Sequence, residues 1–489
     1  MFRFDGFQSF PSNKENQNSP HQEKCRQMFD DIMSGHPIFM RLDQDLEDYR
    51  NQEILTQDMW FSMSILSEEI IEYDEQIVDG RKKLSPDYRP YFISFLFQAD
   101  QIPHIINHFP TNQWLTAEFH LDFSDDLLEH THPHTSINGY LLTSASPSFI
   151  RSGKILKIHT MTKHEEDLVT KHVTRLNNRL KKAVKKSVQK EFSYIWHNNP
   201  IEYIDCYNVG CGNSDHIQCG KRNILYDIGC EFIHSAQYTN SRTGTTSDRF
   251  PASSTIRHLN PDGIILSHWD MDHILGCAFA EQELFCTIWI APDLPVNACL
   301  SALRLARYIQ LVGILCLSKW PQNGPIRLAR AYAGASTVNL YQGAGTDSKV
   351  TPANRNGLFL DFEIRMKEND SPTKVLLAGD VPYNCMPSKI LHNTAKYHYL
   401  HVPHHCRDMD LSNLTNINNT KGICAIISDY RDTTLDGLHN KAHYDELVKR
   451  FQNVVWTTSP ANSPELNSTS STRAIRINFR RNPGWKFRG

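Results

Sequence analysis

Apolar positions fall into three textures along the chain. Residues 11–24 hold no large apolar side chain, so they cannot bury enough surface to offset the entropy of ordering, and residues 1–24 read as a flexible tail. From 25 to about 160, apolar stretches such as 60–66 and 91–97 are separated by polar spacers. They predict an N-terminal α+β domain that carries neither a repeat nor a recognisable motif. Over 165–193 the period changes: Val169, Val173, Leu176, Leu180, Val184 and Val188 recur at spacings of three and four, which places them on one face of a helix. Lys171, Arg175, Arg179, Lys181, Lys182, Lys185, Lys186 and Lys190 cover the remainder. We read residues 161–200 as a basic helical connector, one long helix packed on one side and solvated on the other. The cationic strip over 171–190 is also where a polyanion would be held, through release of its counterions.

From 201 to the end the texture is one of short apolar runs broken by turn residues, at 203–209, 223–229, 263–268, 358–362, 374–380, 399–404 and 423–428. These predict strands of four to seven residues. Several are apolar on both faces, as in sheets covered on both sides. Polar residues stand where the strands run out, positions at which a rigid scaffold presents side chains to a cleft. Residues 201–489 therefore read as an α/β domain.

Composition narrows this picture in a few respects. The chain has 489 residues, more than one ordinary core accommodates. Hydrophobic residues at 40% and charged residues at 21% match a globular protein. The formal charge of −3 excludes a strongly basic nucleic-acid coat but allows a local basic groove. No run approaches the roughly 18–20 apolar residues of a membrane span, and the first residues lack the apolar core of a secretory signal. The twelve cysteines are scattered, with no C-x-x-C pair. Reduced thiols and a cytoplasmic location are the expectation. Cys206, Cys211, Cys219 and Cys230 form a loose group whose irregular spacing argues weakly for structural zinc.

The chemistry concentrates in Ser267-His268-Trp269-Asp270-Met271-Asp272-His273. Four donors, His268, Asp270, Asp272 and His273, follow directly on the apolar stretch 263–266. Burying them unpaired is costly, and a divalent cation resolves the cost, since carboxylates and imidazoles suit Zn²⁺, Mn²⁺ or Fe²⁺. Further strand ends repeat the pattern: Asp380 follows 375–379, and His404-His405 follow Val402-Pro403. By contrast, His130-Thr131-His132-Pro133-His134 contains a proline and lacks a following Asp-His, and reads as a loop. The Ser/Thr-rich residues 235–256, with Arg242 and Arg249 inside and Arg257 just beyond, read as a long loop gating the cleft.

Taken together, Ser-His-x-Asp-x-Asp-His-x-x-Gly over 267–276, Gly379-Asp380 and Val402-Pro403-His404-His405 resemble the metallo-β-lactamase superfamily. Within it they resemble the hydrolase domain of ComEC/Rec2 DNA-uptake proteins and their soluble relatives. Gly210-Cys211-Gly212-Asn213, Asp227-Ile228-Gly229, the strand ending at Ser428 and His443 before Glu446-Leu447 resemble further segments of that branch, so the likeness covers about 200–480. It implies a four-layer αββα sandwich with an additional N-terminal α+β region. It also implies two divalent ions, Zn²⁺ or Mn²⁺: His268 and Asp270 on the first, Asp272 and His273 on the second, Asp380 bridging. His404, favoured over the adjacent His405, would complete the second site. Asp272 would also orient the nucleophile, and His443 would contact substrate or leaving group. The chain departs from the pattern in three ways. No histidine occurs from 274 to 379, Cys406 replaces the glycine after the two histidines, and Asn213 replaces an aspartate. The first two-ion position is thus the weaker one.

Two neighbouring cations are a common device for water attack on a phosphodiester, so a phosphodiesterase or nuclease is the leading expectation. A small-molecule hydrolase of a nucleotide, ester or lactam is the alternative, because one fold hosts many chemistries. A third reading makes the N-terminal region a sensing or partner-binding module that restrains a hydrolase effector, as in a toxin or anti-phage system. A protein partner or a second copy of the chain is compatible with each.

Overall fold

The computed structural model describes residues 38–43, 60–80, 84, 88, 93–98, 113–121, 137–143, 149–180, 184–209, 212–229, 260–280, 282–295, 298–391, 397–414, 422–428, 440–457, 474–480 and 484–488. The expected tail, the His130–His134 segment and the loop at 235–256 lie outside the described residues, as do Cys211, Cys230, Lys181 and Lys182. The chain divides into two compact units. One comprises Met1–Lys181, Ala236–Ser247 and Val296–Val312, the other Lys182–Ser235, Asp248–Pro295 and Gly313–Gly489. Helices of ten residues or more among the described residues are α1 (Glu68–Asp79), α2 (Lys163–Asn178), α3 (Lys185–Trp196), α4 (Leu300–Val312) and α5 (Lys441–Arg450). None is long and apolar enough to cross a membrane.

The first unit is built on β1 (Ile38–Leu42), β2 (Trp60–Leu66), β3 (Ile93–Gln98), β4 (Leu115–Leu121), β5 (Ile137–Thr143) and β6 (Phe149–Thr160). They close into an antiparallel barrel of order β1-β2-β3-β5-β6-β4, which leaves no open edge. Ser67 starts α1 by accepting from the Ile70 amide, and Thr162 and Glu165 form a reciprocal capping box at the start of α2. A buried polar knot joins three helices of this unit. Arg304 Nε lies 2.6 Å and His172 Nε2 3.2 Å from Asp74 Oδ2, and Tyr88 donates to Asp74 Oδ1 at 3.3 Å. Burial alone would push the Asp74 carboxyl up, but Arg304 and His172 outweigh it and hold the group below its ordinary value. Although α4 falls within the span read from sequence as the last domain, it packs in this unit.

The long helix expected over 165–193 is two helices. α2 ends at Asn178, after the pair Asn177-Asn178, whose side chains compete for backbone groups and favour termini. α3 starts after Val184, which is extended and 70% exposed rather than on the packed face. On α2 the buried residues are Val169, His172 and Leu176, and Val173 is only half-buried. Arg175, expected in the basic strip, is paired with Glu75 and Asp79. Lys185, Lys186 and Lys190 do face solvent on α3.

The second unit contains β7 (Ile201–Tyr207), β8 (Asp215–Cys219), β9 (Arg222–Tyr226), β10 (Gly263–Ile265), β11 (Ile288–Pro292) and β12 (Ile314–Ser318). Next come β13 (Ile326–Ala333), β14 (Ser336–Gln342), β15 (Leu358–Ile364), β16 (Thr373–Leu377), β17 (Tyr399–His401), β18 (Gly422–Ile427) and β19 (Phe451–Trp456), then β20 (Ala474–Asn478) and β21 (Gly484–Arg488). One sheet has the order β12-β11-β10-β9-β8-β7-β20-β21, the other runs β13 through β19 in sequence. Ile204, Ile217, Ile224, Ile265 and Ile290 of the first share one core with Leu340, Leu360, Val375, Leu377 and Ile426 of the second, so the sheets pack face to face. Val188, Phe192, Ile195 and Trp196 of α3, at helical spacing, enter the same core. On the outer face of the second sheet, Phe359, Leu376, Leu400 and Ala425 pack with Leu447 of α5. The outer face of the first buries Leu225, Ile264 and Trp289, with the Trp289 indole donating to Leu284 O in the short helix Gln282–Phe285. This is the α/β sandwich of two facing sheets, flanked by helices, that the sequence led us to expect.

Candidate metal centre

The parallel blocks β9-β10-β11-β12 and β16-β17-β18-β19 bring their carboxyl ends to one edge of the sandwich, where open α/β sheets bind ligands. Asp227 follows β9, residues 267–273 follow β10, Asp380 follows β16 and His405 follows β17. Backbone bonds interlock these turns. Gly229 N–H donates to Asn213 O at 2.7 Å, Ile228 N–H to His273 O at 3.0 Å and Gly276 N–H to Ile228 O at 2.8 Å. A Cβ on Gly229 would stand 2.1 Å from Asp272 O and 2.5 Å from Asn213 O. The close approach of three chain segments is what requires glycine there.

Asp272, His273, Asp380 and His405 each offer a donor atom, all within 4.8 Å of one another. His405 Nε2 lies 3.2 Å from Asp272 Oδ2 and 3.6 Å from Asp380 Oδ1; His273 Nε2 lies 3.3 Å from Asp380 Oδ1. The opposite ring nitrogens are anchored. His273 Nδ1 is 2.8 Å from Asp227 Oδ2, and His405 Nδ1 donates to Ser428 O at 2.7 Å. Asp227, buried and at φ +59°, also accepts from the Ser267 amide and hydroxyl at 2.6 and 2.8 Å. Such outer partners fix the tautomer and aim Nε2 inward.

His273 Nε2, His405 Nε2, His268 Nε2 and Asp380 Oδ1 are all buried with no hydrogen-bond partner among the described residues. Orphaned donors and acceptors of this kind are costly unless something binds them. The electrostatics say what. Burial disfavours a charged His273, yet Asp380, Asp272 and Asp227 raise its pKa well above the ordinary value. Burial likewise opposes ionisation of Asp272 and Asp380, and the facing imidazoles hold both carboxyls well below the usual range. The pocket is one that favours positive charge, and its nitrogen and oxygen donors suit a divalent transition metal.

The remaining predicted residues fall around this group. His268 Nε2 is 3.2 Å from Asp270 Oδ2 and 3.7 Å from Asp380 Oδ2, with its Nδ1 3.0 Å from Ser267 Oγ. The geometry favours His405 over His404, reversing the order suggested by sequence. His404 stands outside the group of mutually close donors, and burial pushes its pKa down to about 4. The cause is a run of left-handed backbone, φ +50° at His404, +52° at His405 and +65° at Cys406, which turns the second imidazole inward. His443 is buried and engaged at both nitrogens, with Tyr383 Oη at 3.0 Å from Nε2 and Arg407 O at 3.3 Å from Nδ1. Burial lowers its pKa to about 4. Asn213 is buried, and neither side-chain polar atom has a hydrogen-bond partner among the described residues. Sequence reasoning missed Asn354, whose amide reaches Asp380 Oδ2 at 3.4 Å from the short helix Pro352–Arg355. The only signal was Thr351-Pro352, a cap followed by a first-turn proline.

No family model matches the chain, and no curated protein matches it. Among solved structures it is similar to the metallo-β-lactamase fold protein YhfI from Bacillus subtilis, at 14% identity over 52% of this chain and 96% of that one, with a TM-score of 0.29. It is similar to Zn(2+)-bound PqqB from Methylobacterium extorquens, at 9% identity over 52% and 97%, TM-score 0.29. It is also similar to a diphosphatase from the PhnP family, at 10% identity over 55% and 85%, TM-score 0.26. Likenesses this slight add nothing to the strand order and layering already described.

Proposed function

We propose that the protein is a metal-dependent phosphodiesterase acting on nucleic acid. The observation that carries this reading is the convergence of His273 Nε2, His405 Nε2, Asp272 and Asp380, with buried nitrogens that have no hydrogen-bond partner among the described residues. In this reading Asp272, His273, His405 and Asp380 would hold one divalent ion, and His268 and Asp270 beside Asp380 would hold another. The second set has one imidazole and a partly exposed Asp270 carboxylate, so it is the weaker of the two. Zn²⁺ and Mn²⁺ both suit these donors.

When bound, such ions supply Lewis acidity toward a phosphoryl oxygen and a nucleophile at neutral pH. The chain supplies the orientation. Asp227 and Ser428 fix the two imidazoles, Asn354 steadies Asp380, and Asp272, one-third exposed, reaches from the donor set to align the attacking water. His443 is a positioning residue in this account, because both of its nitrogens are engaged. Support for a polyanionic substrate comes from the ComEC/Rec2-like motif order; of the solvent-facing Lys185, Lys186 and Lys190 of α3, Lys190 stands beside Asp262 and Ile288 at the amino ends of β10 and β11, the edge opposite the donors.

The test is incubation with single- and double-stranded DNA, RNA and bis(p-nitrophenyl) phosphate under Mn²⁺, Zn²⁺ or Mg²⁺, beside the double variant Asp272→Ala/His273→Ala. Polynucleotide cleavage that the double variant abolishes is the expected result. Hydrolysis of the small diester alone refutes the nuclease assignment and leaves a small-molecule hydrolase. Activity untouched by the double substitution refutes the centre itself.

A further inference from the structure

A second group of donors lies inside the sandwich. Cys206 on β7, Asp215 on β8 and His401 at the end of β17 each offer a ligand atom, all within 4.8 Å of one another. Cys206 and Asp215 are paired across β7 and β8, whereas His401 comes from the facing sheet. All three are buried, and Cys206 belongs to the apolar core shared by the sheets. His401 Nδ1 is 2.8 Å from Asp215 Oδ2, but His401 Nε2 and Asp215 Oδ1 are buried with no hydrogen-bond partner among the described residues. Ile204 and Ile217 on the same two strands show what such a layer ordinarily holds, and three adjacent polar groups there are costly unless they are fully satisfied.

We propose that Cys206, Asp215 and His401 form a second metal site, one that takes zinc. A thiolate and a carboxylate balance the charge of Zn²⁺, and a neutral imidazole completes a donor set of the kind zinc prefers. Burial pushes the Cys206 thiol up and the neighbouring Asp215 carboxylate pushes it further, so the bare cluster holds its proton. Loading transfers that proton to solvent as the sulfur–zinc bond forms. With zinc about 2.3 Å from sulfur and about 2.0–2.2 Å from nitrogen and oxygen, tetrahedral partners stand roughly 3.3–3.7 Å apart. The observed donors lie within 4.8 Å of one another.

Zinc-edge X-ray absorption and metal analysis of the full-length, zinc-loaded protein test this. A sulfur shell at about 2.3 Å is expected. It should vanish in Cys206→Ser and Cys206→Ala with the loss of about one zinc per chain. The strand-end centre has no thiol among its four donors, so the shell reports on this site and not on that one. A wild-type spectrum with only nitrogen and oxygen neighbours overturns the proposal. So does a sulfur shell that survives in Cys206→Ser, or that vanishes in Cys406→Ser instead. If neither Cys206 variant folds, the wild-type spectrum and Asp215→Asn decide, and zinc content unchanged by Asp215→Asn counts against the site.

Discussion

Asp227 Oδ2 stands 2.8 Å from Nδ1 of His273, so a carboxylate at the end of one strand sets the imidazole at the end of the next. Asp227 also holds the Ser267 amide and hydroxyl. Asp227→Ala is therefore expected to weaken metal affinity by about 10–100-fold. A competitive chelator titration measures this, with far-ultraviolet circular dichroism checking that the fold persists. Unaltered affinity in a folded variant would remove Asp227 from the orienting role.

His404 and His405 separate cleanly by substitution. His405→Gln removes a donor from the convergent group and is expected to lose bound metal and activity together. His404→Gln leaves that group intact and should retain metal. Elemental analysis of both purified variants decides, and the opposite pattern would restore the order read from sequence.

Gly229→Ala places a methyl 2.1 Å from Asp272 O, which the interlocked turns cannot admit without separating. A stability loss of about 1–3 kcal/mol is expected from such overpacking, accompanied by lower metal occupancy. Thermal melts with and without added zinc measure both effects.

In the first unit, Arg304→Met leaves the Asp74 carboxylate with His172 and Tyr88 as its partners among the described residues, and a loss of about 3–5 kcal/mol is expected. The pH dependence has a definite sign. The native pKa of Asp74 lies below its ordinary value, so its contribution is full above that ordinary carboxylate value and disappears as pH falls toward the native one. Urea melts should show Asp74→Asn flattening the acid limb of the stability curve; an acid limb identical to wild type would count against the knot.

Charge reversal at Lys185, Lys186 and Lys190 is expected to weaken DNA binding and flatten its dependence on salt. Fluorescence anisotropy across a salt series reads the slope, and an unchanged slope would return α3 to a merely solvated face.

How much of this was legible depended on whether the information was local. The segment 267–273 and Asp380 could be read because donors concentrated at the ends of apolar runs, and strands hold those ends rigidly. The two adjacent imidazoles were ranked in the opposite order from sequence, because the choice is made by left-handed backbone at residues 404–406, and side-chain identity does not encode it. The barrel escaped because its strands are held by distant pairings, such as β1 with β4. α4 escaped too. All but two of its thirteen residues are buried, so it lacks the one-sided pattern that reveals a partner. The break between α2 and α3 was hidden by Leu180 and Val184, which kept the helical period across it.

The donors of the strand-end centre come from both halves of the sandwich: Asp272 and His273 from the sheet containing β10, Asp380 and His405 from the sheet containing β16 and β17. A cation seated there is a cross-brace, and its binding energy is counted in the cohesion of the unit. By mass action, resistance to unfolding then rises with the logarithm of free metal above the dissociation constant. Metal supply would govern the lifetime of the protein as well as its turnover, and a metal-starved cell would hold less of it.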